Sequence, residues 1–502
     1  MIVRRLKEMS RTQRKSLIFG LLLFMPIPGL AIWHGVVNHW AGEKVDEHLA
    51  FLESTDIPTN FDELFPAPEN SDHEMMSHPA MIAETGRPDH EQLDRINGYA
   101  HEHRVDGLAE GGLRRPGFWA GEATDVRNFF DPVRHETEAE AARELRRIFA
   151  PERERLENIA DAFARPKAGW RAEREYYDGL ELLHYPDLFQ IRKMVSALQD
   201  HAILAMVLGD EASAARLLTA IHHANLHSTR DAPSVIHFLL ATVYFDVWTE
   251  SIREGIRRGC WSDPTLRDFG AMLTNSLNEM DFLGVLSTEM GHHAGLLRQM
   301  KAGGSLVITN PFENWVWEID EIQQRTGRIF ASALIPRGFL LKAHVDDARE
   351  FFDFAMIREG APRASFAMDD LEHIRQRRTE LESKNPKETD PNLVWILSSL
   401  IERDFQHRTS AALLQTGIAL ERYRLKYGAH PDSLSALVPE FIPSVPLDPY
   451  DGQPLRYRRR DDADATPLVW SIGPNGVDES GMPTRNREDG DLMWITTPLA
   501  SP

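Results

Sequence analysis

The chain has very little cysteine and a deficit of positive charge. Cys260 is the only cysteine among 502 residues, and a single thiol can form neither an intrachain disulfide nor a thiolate zinc site. The 56 Lys and Arg are outnumbered by 77 Asp and Glu, which gives a formal net charge of −21. Contacts to phosphates need clustered cations, so this balance argues against a nucleic-acid partner and against a large surface lying flat on anionic lipid.

Sequence motifs of common enzyme classes are also missing. The chain contains no Gly-x-Ser-x-Gly, no Gly-Lys-Ser/Thr phosphate loop and no Gly-x-Gly-x-x-Gly, which are the patterns that position nucleophiles or cradle phosphates. Cys260 stands next to Trp261 on an amphipathic stretch, so we interpret it as a small buried residue rather than a nucleophile. The sequence therefore predicts a protein without evident catalysis.

One long apolar run lies near the N-terminus. Residues 17–37 read LIFGLLLFMPIPGLAIWHGVV and contain no Asp, Glu, Lys or Arg. As a helix, this run would span the roughly 30 Å of a bilayer's hydrocarbon core. Six basic residues precede it against one acid, whereas the segment after it is acidic. The positive-inside rule predicts a cytoplasmic N-terminus, with the bulk of the chain in the periplasm or outside the membrane.

A cleaved signal peptide and a buried soluble helix are the alternatives for this run. A signal peptide has a shorter apolar core and a small-x-small cleavage site, and residues 34–42 offer no convincing one. Pro26 and Pro28 would damage a buried helix. We therefore expect a bacterial inner-membrane protein that spans once and contacts the bilayer through residues 17–37.

The rest of the chain predicts a mainly α protein of several units. Residues 41–135 form an acidic spacer rich in Pro and Gly, and residues 136–400 carry helical stripes of apolar residues. The stretch around Gly209 and Asp210 resembles a tetratricopeptide-type helical hairpin, although no fixed 34-residue period is sustained. We predict a helical bundle or irregular helical-hairpin solenoid, separated by the polar residues 375–391 from a small α+β domain at 405–502.

The C-terminal segment has a distinctive order of features. A helix ends at Gly428, a short helix follows at Leu434 to Leu437, and Asp448-Pro449-Tyr450 precedes a strand. Residues 455–458 and 468–472 are predicted to form a pair of strands. Ser471-Ile472-Gly473 and an Asp-rich end complete the segment. This order resembles the globular domain of the major pseudopilins of type II secretion, over about the last 95 residues.

The resemblance implies a calcium ion in the C-terminal loop. By position, Asp478, Asp489 and Asp491 would be its side-chain ligands, and carboxylate oxygens suit calcium. The alternative is an acidic, solvated turn. The chain departs from the family at its N-terminus, because no prepilin-peptidase site precedes Leu17. Polymerisation into a pseudopilus is therefore not expected. The whole chain is similar to uncharacterised bacterial membrane proteins that combine an anchor, a helical region and a pseudopilin-like end.

Several histidines invite a metal-site interpretation. His223 and His227 have the i, i+4 spacing of a metal pair, but a third ligand is missing. The His73–His78 spacing is one residue too long for a zincin helix. Two Glu-x-x-His pairs, Glu181/His184 and Glu289/His292, match the di-iron bundle pattern, which chance alone also produces in a chain with 21 histidines.

Three functions remain open from sequence. The leading hypothesis is a membrane-tethered extracytoplasmic binding or scaffold protein with envelope proteins as partners. The second is a divergent accessory component of a type II secretion or pilus-like system. The third is a metal-dependent hydrolase that uses His223 and His227.

Overall fold

The computed structural model confirms a mainly helical chain with a small three-stranded sheet. The structure describes residues 26–54, 71–85, 127, 135–170, 173–177, 180–184, 188–230, 234–279, 282–302, 342, 345–346, 349, 368–384, 393–460, 467–481 and 490–494. Within these ranges the helices are α1 (Pro26–Ser54), α2 (Pro79–Thr85), α3 (Glu138–Ile148), α4 (Arg153–Phe163), α5 (Leu188–Val207), α6 (Glu211–Arg230), α7 (Val235–Arg257), α8 (Asp263–Glu279), α9 (Phe282–Ala302), α10 (Met368–Lys384) and α11 (Leu393–Tyr427).

Consecutive helices α5, α6 and α7 pack against one another and form the centre of the body. The turn between α5 and α6 is the one expected from Gly209 and Asp210. Gly209 adopts φ +71°, a left-handed conformation that glycine reaches without strain. Asp210 then caps α6, because its Oδ1 accepts a hydrogen bond from the Ser213 N–H at 3.3 Å. A local sequence signal is sufficient to define this hairpin.

The central helix α7 is apolar around most of its circumference. Phe238, Tyr244, Phe245 and Trp248 are fully buried in the core that α7 shares with its neighbours. In the described part of the chain, α7 alone is long and apolar enough to cross a bilayer by length and composition. Most of its apolar window is buried inside the body, as in the core helix of a globular unit.

The spacer region contains elements that pack on this core. Helix α1 runs to Ser54 without a break, and Met75, Met76 and Met81 are buried. The Met75 N–H donates to the Lys167 carbonyl at 2.7 Å, which joins the segment to the chain after α4. Arg155 binds Glu84 through two hydrogen bonds and holds α2 on α4. These elements therefore belong to the folded body.

Helix α11 connects the helical region to the C-terminal sheet. It packs on α7, α8 and α10 as well as on two strands of that sheet. The predicted domain boundary at residues 400–405 lies inside this helix, and Leu400, Ile401 and Phe405 are buried. The polar stretch 375–391 was expected to separate the domains, but α10 extends through it to Lys384 and packs on α11. The helix buries Leu371 and Ile374, which are too few apolar residues to reveal it in a charged sequence.

The C-terminal sheet is antiparallel in the order β3 (Arg456–Arg458), β4 (Leu468–Ser471) and β5 (Leu492–Trp494). The two strands expected at 455–458 and 468–472 pair as predicted, with Tyr457 opposite Val469. Trp494 of β5 packs on α11 at Gly417, where an added Cβ would lie 2.1 Å from the indole. A second, unpredicted hairpin pairs β1 (Glu173–Tyr177) with β2 (Leu180–His184).

Candidate functional site

The acidic C-terminal loop brings two of the three predicted calcium ligands near each other. Asp478 accepts hydrogen bonds from the Trp470 indole N–H at 2.9 Å and from the Ser480 N–H at 2.8 Å. Asp491 accepts from the Gly481 N–H at 2.7 Å and is almost fully buried. Asp489 lies outside the described residues. Asp478 and Asp491 therefore accept hydrogen bonds from backbone N–H groups and stabilise the turns of the loop.

Electrostatics differ between these two carboxylates. The Trp470 hydrogen bond lowers the pKa of Asp478 below its ordinary value, because it stabilises the charged form. Burial raises the pKa of Asp491, and the negative charges of Glu479 and Asp478 add to this effect. Repulsion between neighbouring carboxylates would be relieved by a bound cation. The loop thus carries an excess of negative charge around Asp491.

Glu479 is a candidate ligand that the sequence did not single out. Its Oε1 accepts a hydrogen bond from the Asn475 amide at 2.7 Å, while Oε2 is buried without a hydrogen-bond partner. A buried carboxylate oxygen without a partner fits a hard cation such as calcium. Within the described ranges, however, no three His, Cys, Asp or Glu side chains converge closely enough to hold a metal. Asp478, Glu479 and Asp491 therefore supply oxygens that fit calcium but do not by themselves make a complete site.

The three histidines of α6 are part of the helix packing. His227 Nε2 lies 3.0 Å from the Phe163 carbonyl oxygen, so the ring donates to α4. His222 Nδ1 lies 3.2 Å from the Ser276 hydroxyl of α8. Burial lowers the pKa of His222 to about 3. Burial also lowers the pKa of His223. These contacts orient His222 and His227 toward neighbouring helices, and a hydrolytic role for His223 and His227 remains a prediction from spacing.

The Glu-x-x-His and zincin-like patterns have different structural settings. Glu181 and His184 lie on strand β2 (Leu180–His184), so they are not on a helix as the di-iron bundle pattern requires. Glu289 and His292 do share α9. His73 precedes a 3-10 turn at Met75–Ser77, and His78 follows it, so no helix carries both residues.

Cys260 follows the C-terminus of α7, close to Gly255 and Trp261. The Cys260 N–H donates to the Gly255 carbonyl at 2.9 Å. Burial raises the pKa of the Cys260 thiol to about 11, which keeps it protonated near neutral pH. Only the thiolate is a good nucleophile, so this environment agrees with the interpretation of Cys260 as a packing residue.

A network of ion pairs at the end of α7 was not predicted. Arg258 binds Glu138 of α3 through two hydrogen bonds of 2.9 Å and Glu254 through one of 2.7 Å. The Arg258 and Glu254 side chains are buried, and that of Glu138 is partly exposed. The partners lie 120 residues apart, and an isolated sequence has no signal that pairs one charge with another at that distance. The network joins α3 to the central bundle.

A buried histidine occupies the interface between α7 and α11. The His407 ring lies 3.9 Å from the Phe245 ring, and neither ring nitrogen has a hydrogen-bond partner. Burial lowers the pKa of His407 to about 3. The ring therefore stays neutral at physiological pH and acts as a flat packing group.

Helix α1 carries the second half of the proposed membrane span. Residues 17–25 lie outside the described residues, and residues 26–37 form the first part of α1. Ile32 and Val36 are 67% and 63% exposed, whereas Ala41 and Val45 are completely buried. Among its described side chains, α1 therefore has exposed apolar residues between Ile32 and Val36, followed by a segment that packs in the body.

No protein-family model, curated protein or solved structure matches this chain.

Proposed function

We propose that the protein is a membrane-tethered, extracytoplasmic binding or scaffold protein. The observation that carries the proposal is that the apolar side chains described between Ile32 and Val36 of α1 are exposed, whereas the later part of the same helix packs in the body. Apolar side chains such as Ile32 and Val36 gain free energy when lipid covers them. The basic residues that precede residue 17 would then remain in the cytoplasm. The tether would hold a large acidic body at the extracytoplasmic side of the inner membrane.

The body offers helical surfaces to a partner. Helices α5 to α8 are joined by short turns, an arrangement that other helical-hairpin proteins use for protein binding. Ile82 and Leu277 are exposed apolar side chains on this body, away from the core. Aromatic and apolar groups at the surface are common anchors of protein interfaces. Envelope proteins are therefore the proposed partners.

Site-specific photo-crosslinking in intact cells tests the binding function. A photoreactive residue is placed singly at exposed positions on the helical body, with Val36 in α1 as the lipid-facing control. The four body positions are Ile82, Arg216, Asp268 and Leu277. We expect reproducible protein adducts at one or more body positions and none at Val36. A membrane-bound protein that gives no protein adduct at any body position would overturn the scaffold proposal.

The second candidate is an accessory component of a type II secretion or pilus-like system. It is supported by the order of the C-terminal elements, in which a long helix ending at Gly428 packs on a three-stranded antiparallel sheet. This order agrees with the pseudopilin resemblance. Leu447 and Val477 are the most exposed of the large apolar side chains described in this unit, and they are the positions that we propose for a contact with secretion proteins.

Surface substitutions test this candidate more directly than a deletion of the C-terminal unit does. Removing residues 405–502 would expose the core that α11 shares with α7 and α8. We therefore propose Leu447→Glu and Val477→Glu, each compared with the unchanged chain for co-isolation of secretion proteins and for secretion itself. Loss of co-isolation with an unchanged melting temperature supports the candidate. Equal recovery and secretion in both variants contradicts it.

A further inference from the structure

Helix α1 changes its surroundings at a defined point. Among the side chains described in α1, Val37 is the first buried one, and Ile32 and Val36 before it are exposed. From Ala41 onward the buried face continues through Val45 to Leu52. Among the described side chains of α1, burial therefore begins at the residue where the apolar run 17–37 ends.

Helix α9 runs antiparallel to α1 and ends at this point. Arg298 pairs with Glu53 at 2.7 Å, and Lys301 pairs with Asp46 nearer the N-terminus of α1. The Lys301 stem also covers Gly42, where an added Cβ would lie 3.5 Å from Cε. The last residue of α9, Ala302, therefore lies at the edge of the body that is closest to the apolar run.

The same edge carries an amphipathic pair. Lys342 Nζ lies 5.8 Å from the centroid of the Trp40 ring, and Lys342 is paired with Asp346. Trp40 remains partly exposed. Tryptophan and lysine at the end of a spanning helix prefer the headgroup layer, where the indole is half in lipid and the ammonium reaches phosphate.

We propose that this edge, formed by Trp40, Gly42, Lys301, Ala302 and Lys342, sits directly on the phospholipid headgroups of the extracytoplasmic leaflet. The inference rests on the proposed membrane tether. It adds that the body contacts the headgroups at this one edge, and we call this contact the seat. At about 1.5 Å per residue, Trp40 and Gly42 lie only about 5 to 8 Å beyond the end of the apolar run. No flexible linker separates lipid from body, because α1 is one continuous helix from Pro26 to Ser54.

The charges at this edge determine which lipid groups it can contact. Lys301 and Lys342 are both paired with carboxylates, so the surface is close to electrically neutral. The expected ligand is therefore the phosphate of any phospholipid, with no requirement for an anionic lipid. Seating would also present the helical body to partners in one orientation relative to the membrane.

Spin labels on the full chain in phospholipid vesicles test the seat. The native Cys260 is first replaced by Ala, and single cysteines are introduced at Val36, Glu43, Ser54 and Ala302. Relaxation by oxygen reports hydrocarbon, and relaxation by a nickel chelate on lipid headgroups reports the interface. We expect strong oxygen relaxation at Val36, strong headgroup-nickel relaxation at Glu43 and Ala302, and a weaker nickel effect at Ser54.

A linker variant provides the matched control. Six Gly/Ser residues are inserted between His39 and Trp40, and an unchanged melting temperature shows that the body still folds. The nickel effect at Ala302 should then fall several-fold while oxygen relaxation at Val36 stays the same. If the body still folds, the seat is overturned when nickel relaxation at Ala302 is the same in the chain with the insertion as in the chain without the insertion. If the insertion unfolds the body, the paired variant Trp40→Ser, Lys342→Ser replaces it, with the same readouts and the same criterion.

The outcomes separate the seat from the tether. Weak nickel relaxation at Ala302 in the original sequence, with Val36 still in hydrocarbon, contradicts the seat and leaves the tether intact. Val36 accessible to water-soluble reagents and protected from oxygen contradicts both. Identical results in zwitterionic and anionic vesicles are expected from the neutral edge, and a requirement for anionic lipid would contradict the phosphate-only contact.

Discussion

Gly417→Ala should destabilise the protein although it improves the helix. Gly417 lies inside α11, where alanine is intrinsically favoured over glycine by about 1 kcal/mol. An added Cβ would, however, lie 2.1 Å from Cε2 of the Trp494 indole and 2.3 Å from Cζ2. Trp494 is 2% exposed, so the ring has no free space into which to move.

The magnitude follows from these opposing effects. Overpacking a core by one methyl typically costs about 1–3 kcal/mol, and complete loss of a buried tryptophan contact costs about 3–5 kcal/mol. After the helix-propensity gain, we expect a net loss of about 1–3 kcal/mol. For a chain of 502 residues, whose unfolding entropy is about 1 kcal/mol/K, that corresponds to a fall of about 1–3 °C in the melting temperature.

Gly270→Ala is the matched control. Gly270 lies in α8, and no heavy atom lies within 4 Å of an added Cβ. This variant should keep the full propensity gain and melt slightly higher than the unchanged protein. Thermal unfolding of both variants in detergent, followed by tryptophan fluorescence, compares them directly. A Gly417→Ala variant as stable as Gly270→Ala would refute the packing of β5 on α11.

Three further predictions concern charge and metal. Arg258→Ala should destabilise the protein by about 2 kcal/mol because it removes the buried guanidinium that binds Glu138 and Glu254, although Glu254 still pairs with Arg257. The exposed pair Arg216 and Asp161 provides the control, and Arg216→Ala should cost less than about 1 kcal/mol by the same melting assay. Acid should destabilise the fold, since burial lowers the pKa of His222, His237 and His407 to about 3. The unfolded chain binds these protons near pH 6.5 and the native state does not, so stability is complete above that pH and falls between 6.5 and 3. A His407→Leu variant should show a shallower fall in melting temperature with pH, and an unchanged slope would contradict this reasoning. Calcium should raise the melting temperature of the full chain, and Glu479→Gln and Asp489→Ala should each reduce the increase. The loop would be excluded as a calcium site if calcium raised the melting temperature of both variants as much as that of the original protein. It would also be excluded if calcium did not raise the melting temperature of the original protein.

Local signals in the sequence predicted local structure well. Gly209 and Asp210 define the α5–α6 turn, and Gly428 ends α11 with φ +81°. Both features depend on residues within one helical turn, where glycine and a capping side chain have few alternatives. The pairing of β3 with β4 was equally accessible from the two short apolar runs at 455–458 and 468–472.

Long-range packing was not accessible in the same way. Apolar residues on α11 predict a buried face, but they do not say that His407 meets Phe245 of α7 while Gly417 meets Trp494 of the sheet. The Arg258–Glu138 pair and the Met75 segment depend on residues that lie about 90 to 120 positions apart. The candidate ligand Glu479 was missed because only the fold buries its Oε2.

The membrane tether is the central claim, and thiol labelling of intact cells tests it most directly. Single cysteines at Arg5 and Asp72, in a chain whose Cys260 is replaced by Ala, are exposed to a membrane-impermeant maleimide after the outer membrane is permeabilised. Asp72 is an exposed residue of the folded body. We predict labelling at position 72, protection at position 5 until the cells are lysed, and retention of the protein in membranes after alkaline extraction. Protection at both positions, or release into the alkaline supernatant, would contradict the tether.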